Sequence, residues 1–308
     1  MLERCLELLR PGIQGENPIV LDATLGLGGH TEALLNSFPK LRVIGLDRDP
    51  VALELATERL AGFGSRFTPV LAVYDEIDEV LAELGIAALD GVLFDLGVSS
   101  MQLDQRERGF AYAQDAPLDM RMDQSRGKTA ADLLAESDVD ELTQIFRNFG
   151  EERFSHPIAK KIILQRQQEP ITTSNQLNAI VESVVPKAPG KQSGHPAKRV
   201  YQALRIAVNE ELEILQRALP QAIAALNPGA NIVVMSYHSL EDQITKDALR
   251  KAATSQSPIE LPIELPGMGP TLNIITKGVE RAGETELSNN PRAASARLRA
   301  AQKLEKSA

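Results

Sequence analysis

Between residues 19 and 97, short apolar segments alternate with segments of helical periodicity. Strands are predicted at 19–22, 42–47, 67–73 and 91–95, and helices at 30–37, 50–61 and 75–84. Short apolar strands that alternate with helices form a parallel sheet covered on both faces. The pattern therefore predicts an α/β fold with a doubly wound sheet, which binds its ligands at the carboxyl ends of the strands.

The alternation stops after the fourth strand and returns near residue 201. In between, the pattern predicts amphipathic helices at 130–134, 139–149 and 158–168 and a loop at 186–196, which is rich in proline and glycine. A long helix is then predicted at about 201–226, a strand at 231–236, a helix from Ser239 and a late strand near 273–277. The simplest interpretation is one discontinuous α/β domain, 1–103 with 202–308, interrupted by an all-helical domain at 104–201.

The composition excludes several classes of protein. The 308 residues are 43% hydrophobic and 24% charged, as in an ordinary globular protein, so a disordered or fibrous chain is excluded. No apolar segment approaches the roughly 20 residues that span a bilayer, and the first residues lack the pattern of a secretion signal. A single cysteine, Cys5, can form neither an internal disulfide nor, alone, a zinc site. We therefore expect a cytoplasmic protein that binds neither membrane nor metal.

The net charge of −9 hides an uneven distribution along the chain. Residues 1–144 carry 12 Lys and Arg against 26 Asp and Glu, a net charge of −14, whereas residues 145–210 carry 10 against 5, a net charge of +5. The last 33 residues, 276–308, have a net charge of +3. This division predicts a surface that faces a polyanion, built from the middle and the end of the chain. An uneven but merely solvated distribution of charge is the alternative.

A glycine-rich turn follows the first predicted strand, at residues 22–30. Gly26, Gly28 and Gly29 let the backbone approach a ligand closely. A dinucleotide-binding turn has its third glycine where this chain has Thr31, and Asp22 would repel a pyrophosphate. An acid in this place suits a ligand with an ammonium group and no phosphate, such as S-adenosylmethionine. The alternative is a turn whose glycines serve packing alone.

Two further residues end neighbouring strands. Asp47 closes the second strand, where a carboxylate accepts hydrogen bonds from the two ribose hydroxyls of an adenosine. With Asp49 and Pro50 beside it, Asp47 also fits the start of a helix. Tyr74 follows the third strand, where its ring either stacks near an adenine or packs into the core.

The segment 95–102 follows the fourth strand at the same edge of the sheet. In S-adenosylmethionine-dependent enzymes of this architecture, the methyl acceptor meets the donor at this edge. If the acceptor is an exocyclic amine, its nitrogen lone pair is delocalised into the ring. A hydrogen-bond acceptor on the protein is then needed to localise and orient that lone pair. Asp95 is the candidate catalytic residue for this role. Methylation at a pyrimidine carbon would instead use a cysteine nucleophile, and Cys5 lies outside every motif.

The chain resembles the bacterial 16S ribosomal RNA (cytosine-N4)-methyltransferase family, also called MraW. The stretches that carry the resemblance run in order over nearly the whole chain: 22–30, 91–104, 108–110, 117–123, 150–153, 195–196, 202–209, 236–242 and 290–292. Two residues depart from the family pattern. Tyr74 replaces a phenylalanine, which preserves stacking, and Met101 replaces a proline, which leaves the loop around Gln102 less constrained.

The resemblance implies a Rossmann-like class I methyltransferase sheet with an inserted helical substrate domain. It also implies S-adenosylmethionine as methyl donor and a cytidine in the decoding region of 16S rRNA as acceptor. The donor would be held by Gly28, Gly29, His30, Asp47, Tyr74, Asp95 and Gln102.

The candidate residues for the RNA side are polar or basic and follow strands or lie in the insertion. They are Ser99, Ser100, Asp119, Arg121, His195, Lys198, Arg199 and His238, with Lys187, Lys191, Arg205, Arg292, Arg297 and Arg299 as further basic candidates. For Asp119 and Arg121, with Asp123, an internal ion-pair lattice is the alternative. For His238, structural hydrogen bonding is favoured over a role as general base.

The prediction is an S-adenosylmethionine-dependent methyltransferase that acts on a ribosomal cytidine within the assembled small subunit. Two alternatives stay open: an NAD-dependent dehydrogenase on the same sheet, against which Asp22 and Thr31 argue, and a non-catalytic RNA-binding assembly factor. The oligomeric state is undetermined, and a homodimer is one of the possibilities.

Overall fold

A computed structural model describes residues 1–186, 195–258, 265 and 267–305. The chain divides into two compact units, Met1–Gly97 with Leu212–Ala308, and Val98–Glu211. The sequence-based boundaries were 103/104 and 201/202, so the second unit includes residues at both ends that the pattern had assigned to the α/β domain.

The first unit is built on a seven-stranded sheet in the order β3-β2-β1-β4-β5-β7-β6. Strands β1 to β5 are parallel, and β7 runs antiparallel to both β5 and β6. This confirms the predicted α/β class and the doubly wound sheet. The strands are β1 Ile19–Asp22, β2 Arg42–Asp47, β3 Phe67–Leu71, β4 Leu89–Asp95, β5 Leu226–Ser236, β6 Leu272–Ile274 and β7 Arg297–Lys303.

Thirteen α-helices are assigned among the described residues. In chain order they are α1 Leu2–Leu9, α2 Gly29–Ser37, α3 Pro50–Leu60, α4 Ile77–Glu83, α5 Ser100–Asp104, α6 Ala130–Glu136, α7 Val139–Asn148, α8 Ser155–Arg166, α9 Ser174–Val184, α10 Lys198–Asn209, α11 Glu211–Ala225, α12 Ser239–Ala252 and α13 Glu284–Asn289. None of the described helices is long and apolar enough to cross a membrane.

The sheet of the first unit is buried on both faces, as the apolar strands predict. Phe94, Ile232 and Leu219 lie in the cluster on one face, and Leu9 and Leu34 lie in the cluster on the other. All five side chains are fully buried. Because strand residues alternate between the two faces, all side chains of a continuously apolar strand are buried only when both faces of the sheet are covered.

The second unit is helical and has its own core, which includes Phe146, Ile158 and Leu204. Four of its helices, α5, α6, α7 and α9, begin at polar residues whose side chains close capping boxes, for example Thr129 with Asp132 at α6. Within the described part of the unit, 98–186 and 195–211, the only β pairing is an isolated bridge between Pro117 and Thr173.

The predicted long helix at 201–226 is wrong, because two helices occupy this region. They separate at Glu210, which adopts a left-handed conformation with φ of +52°. The buried side chain of Asn209 donates to the carbonyl oxygen of Met120 at 2.7 Å and accepts from the amide of Met122 at 2.8 Å. We attribute the break to this tertiary anchor, which acts where Val208 and Asn209 have low helix propensity.

The sequence also missed β7, which lies between β5 and β6. Its residues include Arg297 and Arg299, and charged residues at this spacing do not resemble an apolar strand. A strand with charged residues is stable here because the backbone N–H and C=O groups of β7 form hydrogen bonds with β5 on one side and with β6 on the other.

Replacing Leu204 by alanine should remove about 2–5 kcal/mol from the free energy of unfolding of the second unit, since the side chain is fully buried. The matched control is Leu164→Ala, whose side chain in the same unit is 58% exposed. It should change the free energy by no more than about 0.5 kcal/mol. Urea unfolding followed by circular dichroism measures both, and equal losses in the two variants would contradict the described core.

Candidate active site

Asp22 ends β1 and is 1% exposed. Its Oδ2 accepts a hydrogen bond from the hydroxyl of Thr31 at 2.7 Å, and its Oδ1 accepts from the amide of Thr24 at 3.3 Å. Burial raises the pKa of this carboxyl group, although the nearby His30 and the hydroxyl of Thr31 act in the opposite direction. Thr31, noticed in the sequence only because it is not a glycine, is thus a direct partner of Asp22.

The turn between β1 and α2 requires glycine. Gly26 and Gly28 have φ of +52° and +76°, a region that residues with a Cβ rarely adopt. At Gly28 an added Cβ would also lie 2.9 Å from a methyl group of Leu60. Helix α2 begins directly after Gly28, with no side chain capping it. The turn thus brings bare backbone to the carboxyl edge of the sheet.

Asp47 ends β2 and holds the same turn. One of its oxygens accepts from the amide of Gly26 at 2.7 Å and the other from the amide of Asp49 at 2.8 Å. Burial raises its pKa to about 6, and the two backbone hydrogen bonds act in the opposite direction. The alternative of a helix cap applies to Asp49 instead, whose side chain accepts from the amide of Val51 at the start of α3.

Asp95 ends β4, beside β1 in the sheet. Its Oδ1 accepts a hydrogen bond from the hydroxyl of Tyr237 at 2.7 Å, and its Oδ2 lies 3.5 Å from Nδ1 of His30. Its main-chain amide donates to the hydroxyl of Thr24 at 2.6 Å. Burial raises the pKa of the carboxyl group, and His30 and Tyr237 oppose this effect. Asp95 is therefore a positioned hydrogen-bond acceptor.

Tyr74 follows β3 and packs edge-on against Phe94, with ring centroids 5.7 Å apart and an interplanar angle of 88°. The ring also contacts the core cluster on that face of the sheet. Core packing of Tyr74 is therefore present in the structure, and stacking near an adenine stays a prediction.

His238 is the N-cap of α12. Its Nδ1 accepts from the amide of Glu241 at 3.5 Å, and its Nε2 lies 3.1 Å from Oε1 of Glu241. The other oxygen of Glu241 accepts from the amide of Tyr237 at 2.8 Å. The hydrogen bond to Nδ1 is of the structural kind that the sequence favoured for His238, whereas Nε2 is buried without a hydrogen-bond partner.

The sequence missed the roles of Tyr237 and Glu241. Both lie in the stretch 236–242 that follows β5, and β5 pairs with β4 so that Met235 lies opposite Asp95. Residues after two neighbouring parallel strands meet at one edge of the sheet. Applied to the segments after β4 and β5, this rule could have predicted from the sequence that Tyr237 lies near Asp95.

In the second unit, Asp119 and Arg121 form a bidentate ion pair, with N–O distances of 2.9 Å for both bonds. Gln124 donates to the same carboxylate at 3.2 Å. Burial alone would raise the pKa of Asp119, but the hydrogen bonds from Arg121 outweigh it and lower the pKa. Asp123 accepts from Ser125 at 2.6 Å. The internal lattice that the sequence offered as an alternative is therefore present.

Two residues of the second unit hold the carbonyl groups of this loop. Buried Arg108 donates to the carbonyl oxygen of Met122 at 2.7 Å, and Asn209 donates to that of Met120. Met120 has a φ of +62°, uncommon for a residue with a side chain. The loop conformation is thus determined by distant parts of the chain.

Ser99 and Gln102 form a capping box at the start of α5. The side chain of Gln102 accepts from the amide of Ser99 at 3.0 Å, and the hydroxyl of Ser99 accepts from the amide of Gln102 at 3.2 Å. Gln102 is 4% exposed, whereas Ser100 is exposed. The structure gives these residues a local role at the helix start, and their cofactor or substrate contacts stay predictions.

The basic residues predicted for the insertion differ in their surroundings. His195 stacks on Tyr112, with ring centroids 4.9 Å apart, and its Nε2 lies 3.5 Å from Glu182. Lys198 and Arg199 are exposed at the start of α10. Lys187 and Lys191 lie outside the described residues, and Arg205 forms a bidentate pair with Glu211.

Near the end of the chain, Arg299 forms a bidentate pair with Asp242, at 2.7 and 3.0 Å. Its guanidinium group is thus engaged within the first unit. Arg297, at the start of β7 opposite Ser236, has a buried Nη1 without a hydrogen-bond partner. Arg292 is exposed.

The first unit thus brings Asp22, His30, Asp47 and Asp95 to the carboxyl edge of one sheet. Among the described residues, no group of three or more His, Cys, Asp or Glu side chains is arranged to hold a metal ion. A doubly wound sheet with a glycine turn after β1 and acids at the ends of β1, β2 and β4 forms a ligand site at the carboxyl ends of its parallel strands. This is the architecture that the family resemblance implied for a class I methyltransferase.

Comparison with known proteins names the family. A family model described as the MraW methylase family matches residues 1–304, and the chain belongs to this family. The ribosomal RNA small subunit methyltransferase H of Pseudarthrobacter chlorophenolicus is 56% identical over 307 residues, which cover 98% of this chain and 93% of that one. The protein of the same name from Beutenbergia cavernae is 55% identical, over 99% and 91% of the two chains. The solved structure of an rRNA methylase from Streptococcus thermophilus has a TM-score of 0.43 and 11% identity, over 99% of this chain and 94% of that one.

We expect the raised pKa of Asp47 to appear in the pH dependence of folding. The ordinary pKa is 3.8 and that of folded Asp47 is about 6, so the folded state holds this proton more tightly than the unfolded chain. The contribution of Asp47 to stability is full below the ordinary pKa and is lost as the pH rises through about 6. One pKa unit corresponds to about 1.4 kcal/mol, and partial exposure screens the charge. As the pH rises from about 4 to about 7, the free energy of unfolding of Asp47→Asn should therefore increase by about 2 kcal/mol relative to that of the wild type.

Urea unfolding of wild type and Asp47→Asn at a series of pH values measures this difference. Glu16→Gln is the control for loss of a negative charge, because that side chain is 90% exposed. A difference between wild type and Asp47→Asn that stays constant over this pH range would contradict the raised pKa.

Proposed function

We propose that this protein transfers the methyl group of S-adenosylmethionine to the exocyclic N4 amine of a cytidine in the decoding region of 16S rRNA. Asp95 carries the proposal, because it is a partly buried carboxylate at the end of β4, oriented by Tyr237 and flanked by His30. The names of the relatives, ribosomal RNA small subunit methyltransferase H, support the substrate class.

The residues at the sheet edge fit the methyl donor. Asp22 and Asp47 are carboxyl groups whose pKa values are raised by burial, so a ligand that supplies an ammonium group and hydroxyl donors offsets the cost of their charge. We assign the ammonium group to the side of Asp22 and the ribose hydroxyls to Asp47. Gly28 and Gly29 supply the close backbone approach.

His30 and Tyr74 complete the part of the donor site that lies in the first unit, and the role of Gln102 in holding the donor stays a prediction. His30 Nε2 is buried without a hydrogen-bond partner, which suits a residue that gains one from a ligand. Tyr74 offers an aromatic ring near the end of β3. When bound, S-adenosylmethionine supplies an electrophilic methyl group on a sulfonium.

Asp95 supplies the acceptor for the chemistry at the cytidine. A hydrogen bond from the exocyclic amine to the carboxylate draws electron density onto the nitrogen and orients its lone pair for in-line attack on the methyl carbon. The nitrogen forms its bond to carbon as the carbon–sulfur bond breaks, and the amine then loses a proton. Water suffices for that proton, so His238 retains its structural role at α12.

The inserted unit is proposed to recognise the RNA. Residues 145–210 carry the positive charge of the chain, and Lys198 and Arg199 are exposed at the start of α10. His195, stacked on Tyr112, and the loop of Asp119 and Arg121 are the further candidates for contacts with the nucleotide. Ser99 and Ser100, which lie in the segment that follows β4, are candidates for contacts with the nucleotide as well.

The assembled small subunit is the proposed substrate. A stacked cytidine must leave its stack to reach a methyl donor, at a cost of about a few kcal/mol. A folded subunit presents one nucleotide in a defined conformation and so lowers that cost. We therefore propose that the protein acts in the cytoplasm, as expected from the sequence.

Methyl transfer from tritiated S-adenosylmethionine to small subunits that lack the modification tests the proposal. Wild type should label a cytidine at N4, as mapped by mass spectrometry, and should label assembled subunits faster than protein-free 16S rRNA. Asp95→Ala should reduce the rate at least about 1000-fold, because it removes the acceptor for the reacting amine. Labelling of protein-free RNA at an equal rate would contradict the proposed substrate.

Wild type that binds the subunit without any transfer would indicate a non-catalytic assembly factor instead. Calorimetry separates the other alternative, since tight binding of NADH with no binding of S-adenosylhomocysteine would indicate a dehydrogenase. Either result would contradict the proposed activity.

Lys198→Ala should weaken binding to the small subunit and reduce the slope of log affinity against log salt by about 1, if Lys198 contacts one phosphate. Lys128→Ala is the matched control, because Lys128 is an exposed lysine of the same unit that pairs with Glu136. Filter binding at several salt concentrations measures both slopes. Equal slopes in wild type and Lys198→Ala would remove Lys198 from the interface.

A further inference from the structure

Hydrogen bonds hold Tyr237 at both its backbone amide and its hydroxyl group. It follows β5, and its amide donates to Glu241 at 2.8 Å while its hydroxyl donates to Oδ1 of Asp95 at 2.7 Å. Its ring lies beside Gly97, where an added Cβ would be 3.5 Å from Cδ2 of the ring. The ring thus spans from the start of α12 to the acceptor carboxylate.

We infer that Tyr237 is a positioning residue for the methyl transfer, which holds the carboxylate of Asp95 in its acceptor orientation and in its ionised form. The inference rests on the proposed function, in which Asp95 accepts a hydrogen bond from the exocyclic amine. Tyr237 itself is not assigned any contact with either substrate.

The surroundings of Asp95 show why such a donor is needed. Burial disfavours the ionised carboxylate, and the acids Asp22 and Glu241 disfavour it further. Titratable groups from several elements interact with Asp95. They are Cys5 and the amino terminus at α1, Asp22 at β1, His30 at α2, Tyr237 after β5 and Glu241 in α12. Among these groups, the hydroxyl of Tyr237 donates a hydrogen bond to the carboxylate.

Tyr237 is suited to remain a donor. Burial and the adjacent Asp95 raise the pKa of its hydroxyl, so the proton stays on the tyrosine. A phenol has one proton to donate, and here it is directed to Oδ1. The second oxygen, Oδ2, is the one that lies 3.5 Å from His30. The two oxygens of Asp95 are therefore distinguished by their neighbours.

Tyr237→Phe keeps the ring and removes the donor. We expect kcat for methyl transfer to small subunits to fall about 10- to 100-fold, since a hydrogen bond to a charged group is lost. The Kd for S-adenosylhomocysteine is measured beside kcat, because Asp95 is also a candidate residue for holding the donor. A larger loss in Kd than in kcat would assign Tyr237 to donor binding and overturn the inference.

The pH profile separates positioning from a general loss of structure. Asp95 accepts a hydrogen bond when ionised, so the rate falls as the pH drops through its pKa. Without the hydroxyl of Tyr237 that pKa rises, and the acidic limb of kcat should move to higher pH by about one unit. Part of the lost rate should return at high pH. A uniform loss at every pH, with no displacement of the limb, would overturn the inference.

Tyr201→Phe is the matched control. It removes another buried tyrosine hydroxyl, one that donates to the carbonyl oxygen of Ser174 at 3.4 Å in the second unit. This variant should keep the wild-type pH profile. A displaced limb in Tyr201→Phe as well would show that loss of any buried hydroxyl moves the profile and would overturn the inference.

A titration distinguishes failure of the inference from failure of the proposed function. NMR of protein with carbon-13 at the aspartate carboxyl groups, assigned through Asp95→Asn, follows the Asp95 carboxyl directly without any substrate. Its pKa should be higher in Tyr237→Phe than in wild type. An unchanged pKa overturns the inference even if wild type is an active methyltransferase. A raised pKa in a wild type that transfers no methyl group supports the effect of Tyr237 on Asp95 and contradicts the proposed function alone.

Discussion

The site depends on the burial of carboxyl groups at the edge of a parallel sheet. Asp22, Asp47 and Asp95 end three strands that lie side by side, and their hydrogen-bond donors are backbone amides and hydroxyl groups. Such donors hold a carboxylate in place without neutralising its charge, so burial raises all three pKa values. The cost of this arrangement is offset when a ligand supplies positive charge and further donors.

Hydrogen bonds link the glycine turn to the acids at the ends of the strands, so the two hold each other in position. The amide of Gly26 donates to Asp47, and the hydroxyl of Thr31 in α2 donates to Asp22. The backbone that a ligand approaches is therefore fixed by the same carboxylates that would bind it. A change in one acid alters both the charge and the shape of the turn.

Sequence periodicity predicted the first unit well, because buried parallel strands are apolar throughout and their lengths and order are visible in the chain. The predictions failed where tertiary contacts outweigh local preference. Asn209 ends a helix through its contacts with Met120 and Met122, and β7 is a strand with charged residues whose backbone is satisfied by β5 and β6. Neither contact leaves a periodic signal.

The sequence by itself determined the fold class, the position of the glycine turn, and Asp22, Asp47 and Asp95 as the acids at the ends of strands, because these depend on local pattern and on the rules of parallel sheets. The family resemblance added the reaction and the substrate. The tertiary structure alone decided which neighbours these acids have. Tyr237 lies 142 residues from Asp95 in the chain, yet its hydroxyl is 2.7 Å from the carboxylate. Such a distance is set by the pairing of β4 with β5 and by the start of α12, and no spacing along the chain encodes it.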